Sequence, residues 1–131
     1  MAATKPRPLS PYLTIWRWGP GMAVSILHRF TGAAVSIAGL AILTWWLSAI
    51  ASGPEAYATV TSAATHPVGL IVLIGLTWAF FQHLLSGVRH LVMDTGAGFE
   101  LDTNKRFAVL TIVGSVLLTA AVWFWIFEVR S

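Results

Sequence analysis

Charged side chains are absent from three long stretches of this chain. The stretches cover residues 30–54, 56–88 and 107–127. A helix needs about 20 mostly apolar residues to cross a hydrocarbon core, and each of these stretches is at least that long. The pattern therefore predicts an all-α integral membrane protein with three transmembrane helices.

Polar and proline-rich segments separate the predicted spans. Residues 1–24 contain four prolines and lack the apolar run of a secretory signal peptide, so we expect them to form a polar arm that stays in the mature protein. A short connection is expected at residues 51–67 and a charged loop at residues 100–106. The whole chain, residues 1–131, is interpreted as a single membrane-anchor domain. The transmembrane helices are expected at about residues 25–50, 68–92 and 107–127.

Composition supports the membrane interpretation and removes other classes of protein. The chain is 56% hydrophobic and 10% charged, against roughly 25% charged residues in an average soluble protein. It has no cysteine, which excludes a disulfide scaffold and a cysteine-ligated cluster. The net charge of +3 comes from basic residues without a dense run, so we expect a lipid bilayer and no nucleic acid as a partner.

The basic residues also predict an orientation. Four of them precede or begin the first span and three lie between the end of the second span and the third, whereas Arg130 alone follows the third. Because positive residues are retained in the cytoplasm, the N-terminus is predicted to be cytoplasmic and the C-terminus to lie on the outer side. The start of the first span and the end of the second then share one membrane level. Polar residues of both segments converge there: Ser25, His28 and Arg29 with His83, Arg89 and His90.

His83 is the candidate for cofactor chemistry. It lies six residues before Arg89, which places it about 9 Å deeper along a straight helix. An ionisable group at that depth is costly and usually functional, although a neutral histidine bonded to a neighbouring helix is the simpler structural alternative. Gly87, one turn further on, is expected to leave a slot for a flat macrocycle. Neutral imidazole is a common axial ligand of haem iron.

A haem at His83 would need more than this chain. Only one histidine lies deep in a span, so a second axial ligand has to come from a partner subunit or from a second copy. The cations and donors available for the haem propionates are His28, Arg29, Arg89 and His90.

Ser25 and Arg29 are spaced i, i+4 and share a helix face, where a hydroxyl and a guanidinium can bind a quinone carbonyl. The structural alternative is that Ser25 caps the helix while Arg29 reaches lipid phosphates. For Asp94, nearby in this topology, we expect pairing with a cation before any proton relay.

The same residues resemble the cytochrome b556 membrane-anchor family of succinate dehydrogenase, respiratory complex II. Residues 7–13 read arginine-proline-leucine-serine-proline-tyrosine-leucine, similar to the N-terminal arm of that family. Residues 25–32 read serine-isoleucine-leucine-histidine-arginine-phenylalanine-threonine-glycine, which resembles its most diagnostic segment. Residues 83–94 match its second motif, histidine-x-x-x-glycine-x-arginine-histidine-x-x-x-aspartate. Two motifs in the right order and hydrophobic context make the resemblance specific.

The resemblance implies the site and its partners. His83 would be the axial ligand of one haem b, shared with a second small membrane anchor subunit that supplies the other ligand. Ser25 and Arg29 would belong to the ubiquinone site, and His28, Arg29 and His90 to the haem propionate region. An iron–sulfur subunit would pass electrons from a flavoprotein subunit to the quinone. The implied location is a bacterial inner membrane, with a periplasmic C-terminus.

Other functions stay open from the sequence. A related anchor could serve a fumarate reductase, and a small transporter or channel subunit could use His83 and Arg89 along a proton or anion path without haem. A structural anchor that has lost its cofactor is a third alternative. The isolated chain is expected to have no dehydrogenase activity, because it contains no flavin, nicotinamide or cluster motif.

Overall fold

Helices make up nearly all of the part of the chain that the computed structural model describes, residues 18–130. In chain order they are α1 (Pro20–Ala34), a π-helical segment (Val35–Gly39), α2 (Leu40–Ser52), α3 (Pro54–Thr65), α4 (Pro67–Asp94) and α5 (Leu101–Arg130). The first three continue one another, so the chain forms three long rods joined by α3 on one side and by residues 95–100 on the other. We refer to these two ends of the bundle as the α3 end and the α4–α5 loop end.

The three rods are long and apolar enough to cross a membrane: Pro20–Ser52, Pro67–Asp94 and Leu101–Val129. The predicted all-α architecture with three spans is confirmed. The first rod begins at Pro20, a residue that suits the first turn of a helix because its nitrogen needs no hydrogen-bond partner there. Residues 20–24 of the predicted arm are therefore the first turns of α1. Residues 1–17 of that arm lie outside the described residues.

The connection at residues 51–67 is not the short loop that the sequence suggested. Gly53 adopts a φ of 108°, which favours glycine and turns the chain at the end of α2. Pro54 then opens α3, and the helix runs to Thr65. His66 is extended, as expected for a residue before proline, and it separates α3 from α4.

The prediction of a charged loop at residues 100–106 was also wrong, because α5 begins at Leu101. The breaking residues are Gly96 and Gly98, whose positive φ angles place the turn before this segment. Asp102 in the first helical turn interacts favourably with the helix dipole and pairs with Lys105 at 3.7 Å. The polar residues thus extend α5 beyond the apolar span.

Large apolar side chains cover the outside of the bundle, while its interior is small and polar. Phe30, Ile37 and Phe124 are each more than two thirds exposed. The buried residues are Val24, Thr31, Ala49, Val60, Ala79, Gln82, Ser86, Arg89, Ala108, Thr111, Ser115 and Thr119. Such a distribution suits a bilayer, where lipid solvates apolar side chains and helices associate through small residues and hydrogen bonds.

One row of α4 packs against α5. Gln82, Ser86 and Arg89 recur at helical spacing on α4 and are buried, and we call them the α5-facing row. The Ser115 hydroxyl of α5 donates to the Gln82 Oε1 atom at 2.9 Å. The same hydroxyl lies 2.8 Å from the Ile112 carbonyl of its own helix. The α4–α5 interface is therefore held by close packing and a polar contact inside the apolar span.

Candidate functional site

Three histidine rings stack between α1 and α4, towards the α4–α5 loop end. The centroids of His28 and His83 are 4.1 Å apart with an interplanar angle of 5°, and those of His28 and His90 are 5.0 Å apart at 22°. His28 comes from α1, and the other two from α4. His83, Gly87 and His90 lie at positions i, i+4 and i+7, a row that we call the α1-facing row. The structure thus brings together three of the predicted site residues.

The hydrogen bond of His83 decides which ring nitrogen is available. Its Nδ1 atom lies 3.1 Å from the carbonyl oxygen of His28. A carbonyl oxygen only accepts, so Nδ1 carries the hydrogen, and the lone pair of the neutral ring is on Nε2. Within residues 18–130, Nε2 has no hydrogen-bond partner. Histidine ligands of metals commonly have this arrangement, with one nitrogen fixed by a backbone carbonyl and the other coordinating.

Stacking does not block that nitrogen. The ring of His28 covers a face of the His83 imidazole, whereas the Nε2 lone pair lies in the ring plane. His83 is also half-buried and not enclosed. His83 would therefore fit a haem ligand, and another chain would have to supply the rest of the haem pocket.

The close glycine beside His83 is Gly32, not the Gly87 that the sequence analysis singled out. A Cβ atom built on Gly32 would lie 2.8 Å from Cε1 of His83 and 3.2 Å from Nδ1. One built on Gly87 would lie 4.0 Å from Cε1 of His28, an ordinary contact. The spacing along α4 did not reveal Gly32, because the ring of His83 packs against the backbone of α1. The i, i+4 spacing from His28 to Gly32 was the available signal.

The other two histidines have different surroundings. His90 places Nδ1 2.7 Å from the Ser86 carbonyl in the preceding turn of α4, an arrangement that also puts the hydrogen on Nδ1. The Nδ1 atom of His28 is buried and has no hydrogen-bond partner among the described residues. Each ring thus keeps a nitrogen that this part of the chain does not use.

Ser25 and Arg29 lie on α1 at one helical turn from each other. Ser25 is half-buried and Arg29 exposed, and neither side chain forms a hydrogen bond or ion pair within residues 18–130. The interpretation of Ser25 as a helix cap is wrong, because Gly19 is the N-cap of α1 and Ser25 lies well inside the helix. Both polar groups are available to a ligand or to another chain.

Arg89 reaches both neighbouring helices: its Nη2 atom would lie 4.0 Å from a Cβ on Gly21 of α1, one turn before Ser25, and its hydrogen bond is to α5. It is 8% exposed, and its Nη2 atom donates to Oδ1 of Asn104 on α5. Arg89 belongs to the α5-facing row, whereas the ring of the next residue, His90, stacks on His28 of α1. Asn104 went unnoticed because its segment was predicted to be a loop. The expected pairing of Asp94 is also not formed among the described residues, whose ion pair joins Lys105 to Asp102.

Similarity to known proteins covers most of the chain. A family model described as "Succinate dehydrogenase/Fumarate reductase transmembrane subunit" matches residues 3–122. The succinate dehydrogenase cytochrome b556 subunit of Paracoccus denitrificans is 40% identical over 112 residues, which cover 86% of this chain and 85% of that protein.

Two further relatives extend this similarity. The subunit of the same name from Rickettsia conorii is 37% identical over 117 residues, 89% of this chain and 90% of that protein. The mitochondrial succinate dehydrogenase cytochrome b560 subunit of Homo sapiens is 33% identical over 113 residues, 85% of this chain and 66% of that protein. The matched region includes the helices that hold the three histidines.

Proposed function

The chain belongs to the family of succinate dehydrogenase and fumarate reductase transmembrane subunits, and on that premise we propose that it is a haem-binding anchor of a succinate dehydrogenase complex. In this role it holds the complex in the membrane, contributes an axial ligand to one haem b and binds ubiquinone. The bacterial relatives named cytochrome b556 subunit support succinate as the electron donor of the whole complex.

One observation carries the haem assignment. His83 donates its Nδ1 hydrogen to the His28 carbonyl, which leaves the lone pair of Nε2 available to a metal. A haem there supplies a one-electron carrier within an apolar helix bundle. The described chain offers no second deep histidine, and a second small anchor subunit is proposed to provide the other axial ligand. His28, Arg29 and His90 are proposed to lie near the propionates, where their polar nitrogens can interact with carboxylates.

The quinone assignment rests on the two unpartnered polar groups of α1. The Ser25 hydroxyl and the Arg29 guanidinium are proposed to donate to a quinone carbonyl, and their side chains are free of competing bonds within residues 18–130. The ligand is a ubiquinone that receives two electrons from the iron–sulfur subunit and two protons, giving the quinol. A flavoprotein subunit oxidises succinate upstream of both.

The orientation is proposed from the basic residues. We place the N-terminus and the α4–α5 loop in the cytoplasm and the C-terminus in the periplasm of a bacterial inner membrane. The three apolar helices fit a multi-pass protein of that membrane. A cysteine introduced at Thr103 should react only with a reagent that reaches the cytoplasmic side, and one at Tyr57 only from outside. The reverse labelling would contradict the proposed quinone position.

The haem assignment is tested by a pair of histidine variants in the full complex purified from membranes. His83→Ala should abolish or strongly lower haem per flavin, measured from the haemochrome spectrum. His66→Ala is the matched control, because His66 only accepts a hydrogen bond from the Val68 amide at the start of α4. It should keep a normal haem content. Full haem content in His83→Ala would overturn the assignment of His83 as the haem ligand, whereas absence of haem from the unaltered complex would favour the transporter and cofactor-free anchor alternatives.

A further inference from the structure

Gly32 lies where a side chain would collide with the proposed haem ligand. All three of the nearest atoms to a Cβ built on Gly32 belong to His83: Cε1 at 2.8 Å, Nδ1 at 3.2 Å and Nε2 at 3.8 Å. Protein Cβ atoms essentially never approach another heavy atom as closely as the first of these distances. A methyl group at this position thus requires the imidazole or the whole of α1 to move.

The imidazole has little freedom to move away. Its Nδ1 atom is hydrogen-bonded to the His28 carbonyl at 3.1 Å, and its face is stacked on the His28 ring. Both contacts come from α1, the helix that also carries Gly32. Rotating the ring breaks the hydrogen bond, and separating the helices breaks both contacts. In either case Nε2 changes its direction.

We propose that Gly32 is a positioning residue for the His83 ligand, because its missing side chain seats the imidazole against the backbone of α1. The seat consists of the Gly32 Cα, the His28 carbonyl and the His28 ring. This inference rests on the proposed function of His83 as a haem ligand. Groups that orient a metal-bound histidine typically change metal affinity roughly 10-fold to 100-fold when they are altered.

Gly114 provides the matched control. It lies on α5, where a Cβ would come within 3.0 Å of Cδ1 of Leu85 on α4. A methyl group at Gly114 therefore crowds a helix interface without touching His83. General weakening of helix packing by an added methyl would affect both glycines, whereas loss of the seat would change the haem signals of Gly32→Ala alone.

The test compares Gly32→Ala and Gly114→Ala in the complete complex. Haem per flavin and the electron paramagnetic resonance spectrum of the ferric haem are measured, the latter because it reports the orientation of the axial imidazole planes. Gly32→Ala should lower haem affinity roughly 10-fold or, where haem is retained, shift the largest g value. Gly114→Ala should keep the haem content and g values of the unaltered complex. Unchanged signals in Gly32→Ala, or equal changes in both variants, would overturn the inference.

A double-variant cycle keeps the inference testable if Gly32→Ala assembles poorly. Thermal stability and yield of the complex are compared for Gly32→Ala, His83→Ala and the double variant. Because Ala at position 83 removes the colliding ring, the Gly32→Ala change should have no added effect in that background. An equal loss of thermal stability or yield in both backgrounds would contradict the proposed role of Gly32. Normal haem in His83→Ala alone would instead overturn the proposed function, whatever the cycle shows.

Discussion

The two polar rows of α4 are only one residue apart in sequence, yet their surroundings are opposite. Gln82, Ser86 and Arg89 face α5 and are closed off inside the chain. The next residues along the chain, His83, Gly87 and His90, face α1, and both histidines of this row are half-buried. One helix therefore presents a sealed polar interface on one side and an accessible cluster of imidazoles on the other.

The two rows of α4 therefore differ in role: the α5-facing row contributes to stability and the α1-facing row offers groups to a ligand. In the α5-facing row, the polar contacts made are to α5, from Gln82 to Ser115 and from Arg89 to Asn104, and the atoms without a partner among the described residues are buried. In the α1-facing row, His83 keeps Nε2 without a partner among the described residues. We infer that substitutions facing α5 change stability and leave the haem signal alone. Substitutions on the α1 side should do the reverse.

The largest effect on stability is expected for Arg89→Leu. It removes a buried guanidinium and its charge-assisted bond to Asn104, a type of bond worth about 1.5–3 kcal/mol. The thermal midpoint of the complex should fall clearly, while the position of the haem absorption bands stays the same. The exposed Arg106, changed to Leu, serves as the control and should leave the midpoint unchanged. A shifted haem spectrum in Arg89→Leu would place this arginine in the site.

A moderate effect of the opposite kind is expected for Ser25→Ala on the α1 side. Loss of one hydrogen bond to a quinone is worth about 0.5–1.5 kcal/mol, or roughly a twofold to tenfold lower rate of quinone reduction. Arg29→Leu should be worse, because it also removes a charge. Succinate oxidation with a soluble dye that accepts electrons upstream should stay normal in both variants. Equal losses with dye and quinone would show that Ser25 supports assembly and not quinone binding.

The smallest effect is expected for Gln82→Leu, directly next to His83 in sequence. The variant loses one acceptor of the Ser115 hydroxyl, but the same hydroxyl hydrogen can be donated to the Ile112 carbonyl at 2.8 Å. It also removes the buried Gln82 Nε2 atom, which has no partner among the described residues. Thermal stability should therefore change by less than about 1 kcal/mol. A loss of haem in this variant would contradict the separation of the two rows.

The predictable part of the fold follows from simple physical limits. Three uncharged stretches are long enough to cross a bilayer, and an apolar helix is the structure that satisfies its own backbone there. The ends of the helices were less predictable, because α3 lies at the membrane margin, where neither length nor hydropathy separates a helix from a loop. The start of α5 was missed for a similar reason: polar residues such as Asp102 and Lys105 suit an exposed helix as well as a loop.

The site was predictable in its residues and less so in its contacts. The motif spacing identified His28, His83 and His90, which the fold brings into one stack. It did not identify Asn104 as the partner of Arg89 or reveal Gly32 as the residue beneath His83. Both depend on how α4 is rotated relative to α1 and α5, and a sequence does not state that rotation. The side-chain bonds that fix it join residues far apart in the chain, such as Gln82 with Ser115.

The central claim, that Nε2 of His83 is an axial haem nitrogen, is tested most directly by chemical rescue. In His83→Gly the imidazole is removed and a space of its size is left, so free imidazole can occupy the same position. The reduced-minus-oxidised spectrum of the purified complex is recorded with and without added imidazole. The account predicts that the low-spin b-type bands are lost in His83→Gly and return on addition of imidazole. Normal bands in His83→Gly without imidazole would contradict it.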